Sequence, residues 1–179
     1  YHESAPYAKF NHLGEAQSIR GLAQYTEEVR DRFINLAISY NINIITGSMP
    51  YVKEDGGLYN VGFLVRRDGS YEMYEKVHVT PDEIKSWGLS GGKMVQTFDT
   101  DCAKIGILIC YDVEFPELSR IMADQGMQIL FVPFLTDTQN GYSRVRVCAQ
   151  ARAIENECFV VIAGSVGNLP RVHNMDIQY

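Results

Sequence analysis

The chain has 179 residues, of which 46% are hydrophobic and 21% charged, and its 16 basic and 22 acidic residues give a formal net charge of −6. A chain of this length and composition can bury its own core and has too few charges for a disordered or coiled-coil protein. An acidic balance without a run of Lys and Arg argues against a nucleic-acid partner, because phosphate backbones are bound by clustered cations.

Membrane and secreted proteins are also disfavoured by the sequence. No stretch approaches the ~20 apolar residues that span a bilayer, and the opening Tyr-His-Glu-Ser lacks the pattern of a secretory signal. The four cysteines match neither a zinc site nor a disulfide framework; they are Cys102, Cys110, Cys148 and Cys158. We therefore predict a cytoplasmic protein with reduced thiols, no bound metal and no membrane contact.

The first half of the chain begins with one strong helical pattern. Apolar residues recur every three or four positions from Glu15 to Tyr40, which predicts a single long amphipathic helix. Its stripe consists of Ile19, Leu22, Tyr25, Val29, Phe33, Leu36 and Tyr40. A β-branched strand is predicted over 42–46, and strands over 58–65 and 71–74 should form a hairpin around Asp-Gly at 68–69.

The second half alternates strands with helices after a polar loop over 75–94, in which one helical turn is predicted near 82–87. The predicted elements are a buried strand at 105–109, a helix from Pro116 to about Asp124, a strand at 129–132, a helix at 142–157 and a strand at 159–163. This alternation predicts the α/β class. Because no repeat or linker divides the sequence, we expect one domain over 1–179.

Cys110 is the cysteine best placed for chemistry. It ends the predicted strand at 105–109 and precedes the helix that starts at Pro116. Ligands of α/β folds bind beyond the carboxyl ends of strands, where backbone N–H groups lower the pKa of a thiol. A small buried hydrophobe is the alternative for any cysteine, and it suits Cys148 and Cys158 well.

A nucleophilic cysteine needs a base or a cation beside it, and two candidates lie close together in the sequence. Lys76 follows a predicted strand, where a fixed ammonium group would stabilise a thiolate and a developing oxyanion. His78 would be the base of a Cys-His hydrolase or acyltransferase, although no spacing in the sequence pairs it with Cys110. Taken alone, Lys76 is better explained as a solvated surface residue.

The combination of segments resembles the nitrilase superfamily, the carbon–nitrogen hydrolases. Residues 74–83 read Tyr-Glu-Lys-Val-His-Val-Thr-Pro-Asp-Glu, and residues 105–120 contain Cys-Tyr-Asp-Val-Glu-Phe-Pro-Glu. Gly91 lies between them, and Arg-Ala-Ile-Glu-Asn at 152–156 follows, so the match runs in order over about residues 20–168. The stretch at 40–48 is most similar to bacterial amidohydrolases.

The resemblance implies an αββα sandwich and a Glu-Lys-Cys triad that hydrolyses an amide or, as second choice, a nitrile, without a cofactor. In that triad Cys110 is the nucleophile and Lys76 holds the tetrahedral intermediate. Glu83 matches an additional glutamate that positions substrate or lysine, and the N–H of Tyr111 completes the oxyanion hole. Phe134 is predicted to line the pocket. The resemblance also implies a homodimer through the two helices after the nucleophile, with a small-molecule amide as substrate.

One element of the family is missing from the sequence. The base glutamate normally follows Phe-Pro at the end of the first strand, and only Glu3 and Glu15 lie in the corresponding region. Glu3 lacks both the Phe-Pro and the strand, so we expect the base before Tyr1 and the domain to be truncated at both ends. A non-catalytic assembly or ligand-binding module is therefore the alternative function.

Overall fold

A computed structural model describes Phe10 and residues 12–166 of the chain. It contains two compact units, Tyr1–Gly92 and Lys93–Tyr179, each built around its own sheet. No helix in the described residues is long and apolar enough to cross a membrane. The predicted single domain stays a prediction, and each unit is described separately below.

The first unit combines helices with a five-stranded sheet. Its helices are α1 (Glu15–Leu22), a 3₁₀ turn (Ala23–Tyr25) and α2 (Thr26–Tyr40). Its strands are β1 (Ile44–Ile45), β2 (Met49–Val52), β3 (Leu58–Val65), β4 (Tyr71–Glu75) and β5 (Leu89–Ser90). Every other strand of this sheet pairs with β3, antiparallel for β1, β2 and β4 and parallel for β5.

The predicted hairpin and the strand near 42–46 are confirmed, the latter reduced to two residues in β1. The β3–β4 connection turns at Gly69, whose φ of 88° lies in the left-handed region that glycine tolerates. A buried cluster of Ala37, Val61, Phe63 and Val65 joins α2 to β3. This cluster is part of the core of the first unit, in which Leu58, Leu64 and Leu89 are also buried.

The prediction of a single long helix from Glu15 to Tyr40 was wrong in two respects. The helical segment is interrupted by the 3₁₀ turn, and Leu36 and Tyr40 of the predicted stripe are exposed. The packed face of α2 keeps Phe33 of the stripe and adds Ile34 and the fully buried Thr26 and Ala37. A 3₁₀ turn advances about 20° more per residue than an α-helix, so three residues rotate the following helix by about 60°.

The second unit has a four-stranded sheet in the order β6-β7-β8-β9. Its elements are β6 (Thr97–Asp99), β7 (Lys104–Ile107), a 3₁₀ turn (Cys110–Glu114), α3 (Pro116–Asp124), β8 (Ile129–Phe134), α4 (Gln139–Asn156) and β9 (Phe159–Gly164). Strands β7, β8 and β9 are parallel, and β6 is antiparallel to β7. The predicted alternation of strands and helices is therefore confirmed.

A close contact packs α3 and the turn after it against β7. A Cβ on Gly106 would collide with the sulfur atoms of Met122 and Met127, both of which are buried. A side chain at position 106 would therefore have to displace both thioethers. The contact fixes the strand that leads directly to Cys110.

Candidate active site

Lys76 and Glu83 form a buried ion pair in the first unit. Lys76 directly follows β4, and its N–H donates to the carbonyl of Asn60 at 2.9 Å, which extends the sheet pairing by one residue. Its Nζ lies 2.7 and 2.6 Å from the two carboxylate oxygens of Glu83. The two residues are only 3% and 8% exposed. A buried ammonium held in this way has a fixed position and a satisfied charge.

A capping box fixes the other side of Glu83. Its carboxylate accepts a hydrogen bond from the N–H of Thr80 at 2.7 Å, and its own N–H donates to Thr80 Oγ1 at 3.3 Å. Pro81 follows Thr80 at the first helical position, where a missing N–H is harmless. The helical turn then continues as a π-helical turn (Glu83–Trp87) and ends at Gly88.

The glycines after this turn keep the backbone close to Lys76. The N–H of Gly92 donates to the carbonyl of Lys76 at 2.8 Å, and a Cβ on Gly91 would collide with the carbonyl of Val77. His78, half-buried, lies on the same segment. The first unit therefore presents Lys76 on a backbone that hydrogen bonds hold on both sides.

Cys110 begins the 3₁₀ turn (Cys110–Glu114) beyond the carboxyl end of β7 in the second unit. Its φ is 49°, a left-handed conformation that is costly for a residue with a side chain. Its Sγ lies 3.6 Å from the carbonyl oxygen of Leu135, directly after the neighbouring parallel strand β8. All four cysteines lie in the described part of the chain, and none is in a disulfide.

Tyr111 and Phe134 lie on the segments that follow β7 and end β8. Asp112, the residue after Tyr111, is the donor of the first hydrogen bond of the 3₁₀ turn, from its N–H to the carbonyl of Ile109 at 3.1 Å. The ring of Tyr111 packs edge-on against Phe115, with ring centroids 5.0 Å apart. Phe134 is buried beside Tyr142, with centroids 6.2 Å apart.

The remaining expectations divide between described and undescribed residues. Glu3 lies outside the described residues, whereas Glu15 is exposed and accepts a hydrogen bond from Trp87 Nε1 at 3.3 Å. Among the described residues, no cluster of His, Cys, Asp or Glu could hold a metal ion. Cys158 is a half-buried thiol whose pKa is raised by burial, which disfavours the reactive thiolate.

Comparison with known proteins decides the family. The carbon–nitrogen hydrolase family profile matches residues 3–179. This chain belongs to the carbon–nitrogen hydrolase family. It is 54% identical over 162 residues to the probable hydrolase YhcX of Bacillus subtilis, a match that covers 90% of this chain and 31% of YhcX.

Other curated relatives of this carbon–nitrogen hydrolase are named as amidases. The deaminated glutathione amidase of Synechocystis is 34% identical, with 74% of this chain and 53% of the relative covered. The omega-amidase of Mus musculus is 32% identical, with 89% and 58% covered. The chain thus spans between about a third and three fifths of the length of these relatives.

Solved structures agree with the family. A Saccharomyces cerevisiae member of branch 10 of the nitrilase superfamily is 28% identical, with a TM-score of 0.75 over 84% of this chain and 54% of that protein. A Helicobacter pylori carbon–nitrogen hydrolase shares the fold at 22% identity, with a TM-score of 0.79 over 95% of this chain and 63% of that protein. The predicted nitrilase-type α/β fold is therefore confirmed.

Sequence reasoning predicted Lys76, Glu83 and Cys110 as site residues but missed several residues that contact them. Thr80 was missed even though Thr-Pro-Asp-Glu at 80–83 has the spacing of a capping box. Nothing in the local sequence indicates that Leu135 would meet the Cys110 sulfur, because the two residues are 25 positions apart. The structure brings Lys76 together with Glu83, and Cys110 together with the end of β8.

Proposed function

We propose that this carbon–nitrogen hydrolase cleaves small amides, and nitriles as second choice, through a thioester on Cys110. The observation that carries the proposal is the left-handed conformation of Cys110 at the end of β7, with its sulfur at the edge where parallel strands end. Reactive groups of α/β folds commonly occupy that edge. The names of the curated amidase relatives support an amide substrate.

The proposed reaction has two balanced halves. A glutamate base takes the Cys110 proton, the sulfur attacks the amide carbonyl, and the same proton passes to the nitrogen as ammonia or an amine leaves. The base then takes a proton from water, the resulting hydroxide attacks the thioester, and the base passes that proton to the sulfur as the carboxylic acid departs. The net reaction consumes one amide and one water, without a metal or a cofactor.

Lys76 is proposed to stabilise the oxyanion in both halves, together with the N–H of Tyr111. Glu83 holds the Lys76 ammonium group in one position, since both of its oxygens lie within 2.7 Å of Nζ. Phe134 is proposed to contribute an apolar wall to the substrate pocket. The base is proposed to be the glutamate that follows Phe-Pro at the end of the family's first strand. That element is different from the Phe-Pro-Glu at 115–117, which follows Cys110.

Ammonia release from a panel of amides tests the proposal in the full-length protein. We expect Cys110→Ala to reduce turnover to background, and Lys76→Met to lower kcat by about 10²–10³, the usual cost of losing an oxyanion donor. Cys102→Ala, which removes an exposed turn thiol, is the control and should leave kcat unchanged. Full activity of folded Cys110→Ala would disprove the nucleophile, whereas a folded parent protein that releases no ammonia from any amide would favour the non-catalytic module.

We further propose that the protein forms a homodimer through α3 and α4. Val147 and Ile154 of α4 are 61% and 79% exposed, and their spacing of seven places them on one helix face. An apolar pair on one face is what a second helix would cover. A solution mass of twice the chain mass is the expected measurement.

A further inference from the structure

The left-handed conformation of Cys110 requires an explanation outside its own residue. Within the described residues, two other non-glycine residues have positive φ, Asn41 and Glu157, and each ends a helix, where a left-handed residue is common. Cys110 follows a strand and begins a turn, so helix capping does not account for it. Such a conformation persists only where the surroundings hold it.

Asp112 braces the turn from within. Its side chain is fully buried, and Oδ2 accepts a hydrogen bond from the N–H of Ile109 at 3.2 Å. The N–H of Asp112 donates in the opposite direction to the carbonyl of Ile109 at 3.1 Å. These two hydrogen bonds tie the residue before Cys110 to the residue two positions after it, so the backbone of Cys110 is enclosed between them.

Arg152 holds the same turn from outside. It lies on α4, is 6% exposed, and its Nε donates to the carbonyl of Val113 at 3.1 Å. Its Nη1 lies 2.5 Å from a carboxylate oxygen of Glu155, which neutralises the buried charge. The end of α4 is in turn joined to α3, since Arg120 Nη2 donates to the carbonyl of Glu155 at 2.6 Å.

We propose that Asp112 and Arg152 are positioning residues that clamp the Cys110 turn. They hold the Cys110 backbone in its left-handed conformation and so present the thiol beyond the end of β7. Neither residue needs to touch the substrate. Asp112 acts as a hydrogen-bond acceptor and Arg152 as a donor, each on the backbone beside the nucleophile. Without the clamp the backbone at Cys110 relaxes to an extended conformation, and the side chain turns away from the strand edge.

Thiol alkylation tests the clamp independently of the proposed amidase activity. Iodoacetamide is reacted with the folded full-length protein, and mass spectrometry compares the rates at Cys110 and at the exposed Cys102, an internal reference. We expect Asp112→Ala and Arg152→Met to lower the Cys110:Cys102 ratio by about tenfold, because small misplacements of a reacting group are costly. The kcat for the best amide should fall in parallel, with a smaller change in KM.

Conservative variants separate positioning from general stability. Asp112→Asn keeps a side-chain oxygen that can accept from Ile109 N, so its ratio should stay close to that of the parent protein. Arg152→Lys keeps one donor and should restore part of the loss. Arg146→Met removes an exposed arginine from the same helix and is the matched control. If Arg152→Met fails to fold, the Asp112→Ala and Asp112→Asn pair still tests the clamp.

Two results would overturn the proposal. One is a Cys110:Cys102 ratio within twofold of the parent in folded Asp112→Ala or folded Arg152→Met. The other is an equal loss in Asp112→Asn and Asp112→Ala, which would assign the effect to the carboxylate charge instead of the hydrogen bond. A chain that lacks amidase activity but keeps the alkylation pattern would refute the proposed function alone.

Discussion

Glu83 has two tasks at the scale of the single residue, as the counter-charge of Lys76 and as a capping residue for its own turn. Both tasks use the same carboxylate, which accepts from Lys76 Nζ and from Thr80 N. A glutamine side chain could still accept the hydrogen bond from Thr80 N, but it would leave the buried Lys76 ammonium group without a counter-charge. We therefore expect Glu83→Gln to destabilise the protein by about 3–5 kcal/mol, the usual cost of breaking a buried pair.

Urea unfolding followed by the fluorescence of Trp87, the only tryptophan and part of the turn that Glu83 begins, measures this loss. Glu75→Gln is the matched control, since Glu75 pairs with the more exposed Lys53 and should cost at most about 1 kcal/mol. The double variant Lys76→Met/Glu83→Leu should be less destabilised than Glu83→Gln, because it leaves no buried charge. Equal losses in Glu83→Gln and Glu75→Gln would contradict the assigned role.

Local contacts of this kind could be predicted from the sequence, whereas distant ones could not. The capping box of Thr80 and Glu83 spans four residues with a recognisable spacing, and Pro81 adds to it. The hydrogen bond from Arg152 to Val113 joins residues 39 positions apart. Arg152 and Glu155 have the i, i+3 spacing of an ordinary helix ion pair, and only the fold shows that the guanidinium also reaches the Cys110 turn.

At the scale of elements, the five-stranded sheet of the first unit depends on the buried Tyr74 of β4. Its hydroxyl donates to the carbonyl of Gly47 at 2.6 Å, and burial raises its pKa well above the ordinary value of 10.0. Above pH 10 the unfolded tyrosine loses its proton while the folded one keeps it, so stability decreases as pH rises. We expect this residue to contribute a slope of up to about 1.4 kcal/mol per pH unit in that range.

Denaturant titrations between about pH 9 and 11.5, a range that brackets the ordinary tyrosine pKa, measure that slope. Tyr74→Phe loses one hydrogen bond at neutral pH but should show a flatter decline above pH 10. Tyr40→Phe, at a largely exposed position, should retain the parent slope. A parent-like slope in Tyr74→Phe would show that Tyr74 does not carry the alkaline dependence.

Element prediction from the sequence succeeded where a pattern extended over many residues. The hairpin around Gly69, α3 between Pro116 and Gly126, and α4 all have clear periodicity or clear stop signals. Strands β2, β5 and β6 are two to four residues long, too short to show a period of two. The 3₁₀ turn at Ala23–Tyr25 has no Gly or Pro in it, so the rotation it gives α2 could not be predicted.

At the scale of the whole molecule, the proposed homodimer makes one exposed residue decisive. Ile154 is 79% exposed near the end of α4, and a charge there would have to be buried unpaired if a second copy covered it. We therefore expect Ile154→Glu to halve the solution mass measured by light scattering. Arg146→Glu, at an exposed position of the same helix, tests whether added negative charge alone is responsible.

A monomeric parent protein would disprove the proposed homodimer, and an unchanged mass in Ile154→Glu would exclude this face of α4. The oligomeric state could not be predicted from the sequence, because it depends on the complementarity of two surfaces. The sequence shows only the apolar spacing of Val147 and Ile154. The family and the α/β class, by contrast, could be predicted from segments such as 74–83 and 105–120, because their chemistry constrains residue type and order.

Oxidation of the two methionines packed against Gly106 would reveal local opening of the second unit. Methionine sulfoxide is bulkier and more polar than the thioether, and neither property fits the closed contact of Met122 and Met127 with β7. We expect peroxide to oxidise Met94 in the folded chain, since that side chain is exposed. A sulfoxide at Met122 would then indicate that α3 has separated from β7, and one at Met127 that the segment after α3 has done so.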